Sequence, residues 1–146
     1  RTLRSIEGVT TFAGSDQLAA FADGLDIVVS VLPLTPETTG IMNACFFGML
    51  ADGAFIINGG RGPQVDDDDL LAALDSGKLG GAALDVFAVE PLPQDHPFWT
   101  HPKVRVWPHV AAQTNATSAA EQVAAAITAM MDGSEPANRV DWSRGY

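Results

Sequence analysis

Cysteine is nearly missing from this chain. Cys45 is the only one among 146 residues, so no internal disulfide can form. It lies in the apolar stretch "NACFFGML" and is expected to be a buried small hydrophobe. A reducing, cytoplasmic compartment fits this usage. Positive charge is also scarce. Eight Lys and Arg stand against 18 Asp and Glu, for a net charge of -10. That balance argues against nucleic acid or an anionic membrane surface as the main partner, and solubility explains the charge more simply than an acidic interaction surface. No apolar run is long enough to span a bilayer, and no basic-then-apolar leader opens the chain. Internal repeats and low-complexity tracts are absent as well. What remains is globular in composition, with 47% hydrophobic and 18% charged residues. The length suffices for one domain with a real core.

Apolar runs alternate with helical patterns. "DIVVSVL" (26–32), "AFIIN" (54–58), "GAALDVF" (81–87) and "KVRVWPH" (103–109) read as strands. The first is continuous and β-branched, as expected of a strand covered on both faces. Between them, "SDQLAAFADG" (15–24) opens on a cap-like Ser15 or Asp16 and closes on Gly24. "NACFFGML" (43–50), "DDDDLLAALDSG" (66–77) and "TSAAEQVAAAITAMMDG" (117–133) are the other helical segments, and "QDHPFWTHPKV" reads as a loop. Strand–helix alternation predicts an α/β fold, a parallel sheet with helices on both faces. Ligands of such sheets bind beyond the carboxyl ends of the strands. The informative residues therefore follow each apolar run.

After "AFIIN" comes "GGRG". Glycines let a backbone approach a ligand closely, and an arginine there can grip a carboxylate through two parallel hydrogen bonds. The four aspartates that follow, Asp66 to Asp69, suit a helix N-terminus, with Asp66 or Asp67 as its cap. A metal site is the weaker alternative, because consecutive helical residues point in different directions. Arg61 alone proves little, since most arginines are simply solvated or salt-bridged. Glu90, just past the third strand, and His109, just past the fourth, change that weighting. Each has an ordinary explanation singly, a loop acid before Pro91 and a histidine beside a proline turn. At three successive strand ends, however, an arginine, a glutamate and a histidine can hold a carboxylate and pass a proton to an adjacent carbonyl. His96 and His101 fall in the loop with no ligand cluster around them and receive no catalytic or metal role.

These stretches carry a resemblance. "LPLTPETTGIMNACFFGMLADGAFIINGGRG", "NGGRGPQVDDDDLLAALDSGKLGGAALDVFAVEPLP" and "HPKVRVWPHVAA" together resemble the D-isomer-specific 2-hydroxyacid dehydrogenases, over nearly the whole chain. "EPLPQDHPFW" and "RVDWSRGY" are most similar to the glyoxylate/hydroxypyruvate reductase A branch. The resemblance implies a Rossmann-like domain that reduces 2-oxo acids with NADPH or NADH. By the same resemblance Arg61 would bind the substrate carboxylate, His109 would be the general acid and Glu90 its partner. Asp85 would hold the nicotinamide carboxamide. Gly59 and Gly60 would line the nicotinamide ribose side. Leu32, Pro33 and Thr38 would lie near the adenosine and phosphates, and Ala111 beside the cofactor.

Departures from the family pattern bound these expectations. The family has two domains and roughly twice this length. Its phosphate-binding G-x-G-x-x-G turn is not here, and "GKLGG" precedes a strand instead of following one. The chain is therefore expected to be a C-terminal piece, lacking the first strand and the glycine loop. Residues 1–116 would be the cofactor-binding portion, and 117–146 a crossing helix and tail that pack towards a substrate domain. Arg1 and Arg4 fall where the family sets cofactor preference, and they favour the 2′-phosphate of NADPH or are ordinary exposed arginines. A homodimer is implied for the whole protein. A non-catalytic nucleotide- or partner-binding module is the alternative of another class, and phosphoglycerate or formate as substrate a third.

Overall fold

The computed structural model of the chain describes residues 5–140. Among these, four parallel strands pair in sequence order: β1 (Ile27–Ser30), β2 (Ala54–Asn58), β3 (Leu79–Leu84) and β4 (Val104–Val106). The helices are α1 (Leu18–Ala22), α2 (Ala44–Met49), α3 (Asp67–Asp75) and α4 (Ala116–Met131). All four expected strands are present. Three are shorter or shifted relative to their apolar runs, and β2 matches its run residue for residue. Its ends are set by Gly53 (φ 80) before it and the turn at Gly59 after it.

Caps explain where the helices begin. Asp66 accepts from the Asp69 N–H at 3.0 Å, so the first aspartate of the run starts α3. Asp69 in turn accepts from the Ala44 N–H at 2.8 Å, so one acidic stretch caps two helices. Asn43 caps α2 through the Phe46 N–H, and Asn115 caps α4 through Thr117 and Ser118. The expected Ser15 or Asp16 cap is corrected. Gly14 occupies that position without a side-chain bond, and a 3-10 turn (Ser15–Gln17) leads into α1. In the expected loop, Pro97–Trp99 forms another 3-10 turn, capped by His96.

Only one face of the sheet is covered. Val28, Ile56, Leu79, Leu84 and Val104 are buried with Phe46, Phe47, Leu70, Leu74 and Phe98 in a single core. On the opposite face Ile27, Val29, Phe55 and Ile57 are exposed, Val29 by 58% and Phe55 by 52%. The expectation of strands covered on both faces is thus corrected for the described residues. β1 alternates exposed and buried instead of being buried throughout. On α4 no residue is buried, and Val123, Ile127, Met130 and Met131 form an exposed apolar stripe at helical spacing. Cys45 is likewise exposed on α2 and not buried, because Phe46 and Phe47 occupy the inward face.

Candidate active site

The parallel strands deliver four loops to one edge. β1 leads into residues 31–39, β2 into the Arg61 turn, β3 into Asp85 and Glu90, and β4 into His109. Between the first two loops lies a cleft of about 510 Å³, lined by residues 31–34 and 59–61. Leu32, Pro33, Gly59, Gly60 and Arg61 all border it. A Cβ on Gly60 would stand 2.9 Å from the Leu32 carbonyl oxygen, so only glycine lets the two loops come this close. Thr38 braces the same loop from within. Its hydroxyl donates to the Pro33 carbonyl and accepts from the Thr35 N–H, each at 2.8 Å.

Histidine and glutamate meet directly. His109 Nδ1 lies 2.8 Å from Glu90 Oε2. The other carboxylate oxygen, Oε1, accepts from the Phe87 N–H at 2.9 Å, which fixes the carboxylate before it orients the ring. With Nδ1 engaged, Nε2 is the nitrogen available for proton delivery. Glu90 is held below the usual glutamate range, first by its bond to His109 and then by the Phe87 N–H; the positive charge of Arg61 contributes in the same direction. The three residues expected to act together therefore do gather at this edge. Arg61 adopts an extended backbone, and its guanidinium donates to the Gly60 carbonyl at 2.7 Å.

The turn carrying His109 is strained and braced. His109 has φ 54, a left-handed conformation unusual for a residue with a side chain. Asp85, buried at the end of β3, offsets this. Its two oxygens accept from the Val110 and Ala111 amides at 2.8 and 2.9 Å. A carboxylate oxygen accepts more than one donor, so Asp85 keeps capacity for a further bond. Ala111 also faces Gly59, whose added Cβ would sit 3.7 Å from the Ala111 methyl.

His96 and His101 are employed elsewhere. Their Nε2 atoms face Asp67 at 3.5 Å and Asp75 at 3.2 Å, tying the 93–103 segment to α3. Arg1 and Arg4 lie outside the described residues. Three further residues carry the site without having been singled out. Asn58 accepts from the Gly60 N–H and donates to the Arg61 carbonyl. Gln64 accepts from the Arg61 N–H. Gly62 packs its backbone on Phe87. Sequence offers no direct signal for the last two, because their partners lie in distant segments.

The lowered pKa of Glu90 has a testable consequence. Its folded value lies below its unfolded value, so its contribution to stability is present above the ordinary glutamate range and disappears as pH falls through the depressed value. Glu90→Gln is expected to be less stable than the wild type near neutrality, with the gap closing below about pH 4. Urea unfolding across that range checks this, and a gap independent of pH would show that ionised Glu90 is not what holds His109.

Known proteins resemble this chain in sequence and in fold. The profile described as "D-isomer specific 2-hydroxyacid dehydrogenase, NAD binding domain" matches residues 4–111. The chain is 51% identical over 146 residues to glyoxylate/hydroxypyruvate reductase A of Serratia proteamaculans, covering 100% of this chain and 47% of that protein. It thus spans about half the length of the curated relatives it matches. A D-isomer-specific 2-hydroxyacid dehydrogenase from Xanthobacter autotrophicus Py2, solved with NADPH and MES, superposes with a TM-score of 0.96 at 46% identity, over 100% of this chain and 60% of that one. The NADPH-dependent glyoxylate/hydroxypyruvate reductase of Sinorhizobium meliloti, solved with NADP and sulfate, gives 0.93 at 42% identity, over 100% and 48%. With the arginine, the glutamate–histidine pair and the cleft gathered at one sheet edge, this likeness shows that the chain belongs to the D-isomer-specific 2-hydroxyacid dehydrogenase family, its residues 4–111 matching the family's NAD-binding domain.

Proposed function

We propose that the protein reduces a small 2-oxo acid, glyoxylate or hydroxypyruvate, to the 2-hydroxy acid. The observation that carries this reading is the His109–Glu90 pair beside the positive charge of Arg61 at the cleft. Arg61 anchors the substrate carboxylate through its planar fork. His109, protonated, gives its Nε2 proton to the keto oxygen. Glu90 stabilises the imidazolium and sets its orientation. NADPH, when bound, supplies the hydride.

Cofactor and cleft fit each other. Gly60 lets the turn after β2 pack closely on Leu32, and the cleft beside them is lined by residues 31–34 and 59–61 at the strand ends, where dinucleotides bind. Gly59, Gly60, Leu32 and Pro33 would line the cofactor, Thr38 would shape its loop, and Ala111 would lie beside it. Asp85 has a lone pair left for the carboxamide. Relatives solved with NADPH or NADP support NADPH over NADH. Arg1 and Arg4 remain candidates for the 2′-phosphate. The apolar stripe of α4 supports a division near residue 116, with α4 packing towards a substrate-side domain; of the 117–146 segment, residues 141–146 lie outside the described residues. A homodimer and a cytoplasmic location complete the reading.

Arg61→Lys tests the substrate assignment. Lysine keeps the charge and loses the two-pronged geometry. KM for glyoxylate is expected to rise roughly ten- to hundredfold, with NADPH affinity little changed. Steady-state kinetics with direct NADPH titration decides. An unchanged KM removes Arg61 from the substrate site.

A further inference from the structure

We propose that the buried amide of Gln64 couples the cofactor side of the cleft to the substrate-anchoring arginine. The inference rests on the roles given above to Arg61 and to the 31–34 loop. Gln64 is 0% exposed. Its Nε2 donates to the Leu32 carbonyl at 2.9 Å and to the Pro33 carbonyl at 3.0 Å. Its Oε1 accepts from the Arg61 N–H at 3.2 Å and from the Ser30 hydroxyl at 3.1 Å. One side chain thus binds the loop after β1 with its donors, and the turn after β2 together with the last residue of β1 with its acceptor.

The backbone around Gln64 is itself anchored. Its carbonyl accepts from the Met42 N–H at 2.9 Å, and its N–H donates to the Arg61 carbonyl. The amide is therefore a fixed link rather than a swinging one. A displacement of the Leu32–Pro33 peptides by a bound dinucleotide reaches the Arg61 peptide through one rigid group. Both N–H donors and both Oε1 lone pairs of the amide are committed, and among the described residues no buried side-chain polar atom lacks a partner. Gln64 is accordingly a positioning residue. Because one rigid amide serves both segments, its alteration is expected to change the binding of both ligands together.

Two variants distinguish coupling from a merely structural role. Gln64→Leu removes both ends. Buried polar groups left unpaired predict NADPH binding and kcat/KM for glyoxylate each weakened by roughly tenfold or more. Gln64→Glu keeps the acceptor. Protonated, the carboxyl also donates one bond to Leu32 or Pro33; ionised, it confronts both carbonyl oxygens. All groups bonded to it are uncharged, and the guanidinium of Arg61 turns to the Gly60 carbonyl. Burial raises the pKa of such a carboxyl, so Gln64→Glu should approach wild type near pH 6 and lose affinity for both NADPH and glyoxylate, by about tenfold, towards about pH 9. The wild type, measured in parallel on the polypeptide as its source makes it, should show no such added dependence.

A Gln64→Glu profile parallel to the wild type overturns the coupling, as does a change confined to one ligand or to thermal stability. Should Gln64→Leu fail to fold, the Gln64→Glu profile decides alone. A wild type that binds NADPH without reducing glyoxylate overturns the proposed function and this inference together; a working wild type with indifferent variants overturns the inference only.

Discussion

Alanine at position 109 is expected to abolish turnover and leave NADPH binding intact. Among the described residues His109 is the imidazole at the strand ends, and Glu90 holds its Nδ1 at 2.8 Å. Loss of a general acid costs roughly 100- to 10,000-fold in kcat. The imidazole is half exposed and carries no core packing, so its removal should not unfold the chain. The turn itself is held by Asp85 through the Val110 and Ala111 amides, independently of the ring. His109→Ala should also release the left-handed backbone only slightly, since alanine tolerates φ 54 no better than histidine. Loss of cofactor binding in this variant would instead make His109 a structural residue.

Gly62→Ala is expected to be the most damaging conservative change. A Cβ there would lie 1.8 Å from the Phe87 carbonyl carbon and 2.4 Å from the Ala88 nitrogen. These are backbone atoms and cannot rotate away. The Arg61 turn and the Phe87–Glu90 loop must then move apart. Phe87 is also the residue whose N–H fixes Glu90, so the clash reaches the histidine pair through one hydrogen bond. Misplacement by about 1 Å predicts a loss near hundredfold in kcat/KM, together with a lower Tm. Gly48, in α2, is the control. Nothing lies within 4 Å of its added Cβ, and its φ is not positive. Gly48→Ala should leave activity alone and stabilise the helix slightly. Equal behaviour of the two variants would show that the close approach at Gly62 does not matter.

How much of this is legible in the sequence depends on where the partners lie. Local features read well. β2 matched because its apolar run is bounded by turn-forming glycines. α3 matched because an aspartate run suits a helix start and Gly77 takes a positive φ at its end. That Arg61, Glu90 and His109 share one edge of the sheet is legible because a parallel sheet places the segments after its strands at one edge, a rule that needs no coordinates. Features built from distant segments did not read. The amide of Gln64 gains meaning from carbonyls 31 and 32 residues away. The need for glycine at 62 comes from Phe87. The exposed halves of β1 and β2 misled because an apolar run announces burial without saying what covers it. Cys45 misled for the same reason, its neighbours Phe46 and Phe47 having taken the core.

The most direct measurement compares NADPH oxidation by the wild-type polypeptide and His109→Ala, side by side, with glyoxylate as acceptor. Turnover that depends on the 2-oxo acid, and falls at least about 100-fold in the variant while both proteins bind NADPH equally, is the predicted result. Nucleotide binding by both proteins without turnover in either would contradict it, and would make this domain a binding module built on a dehydrogenase fold.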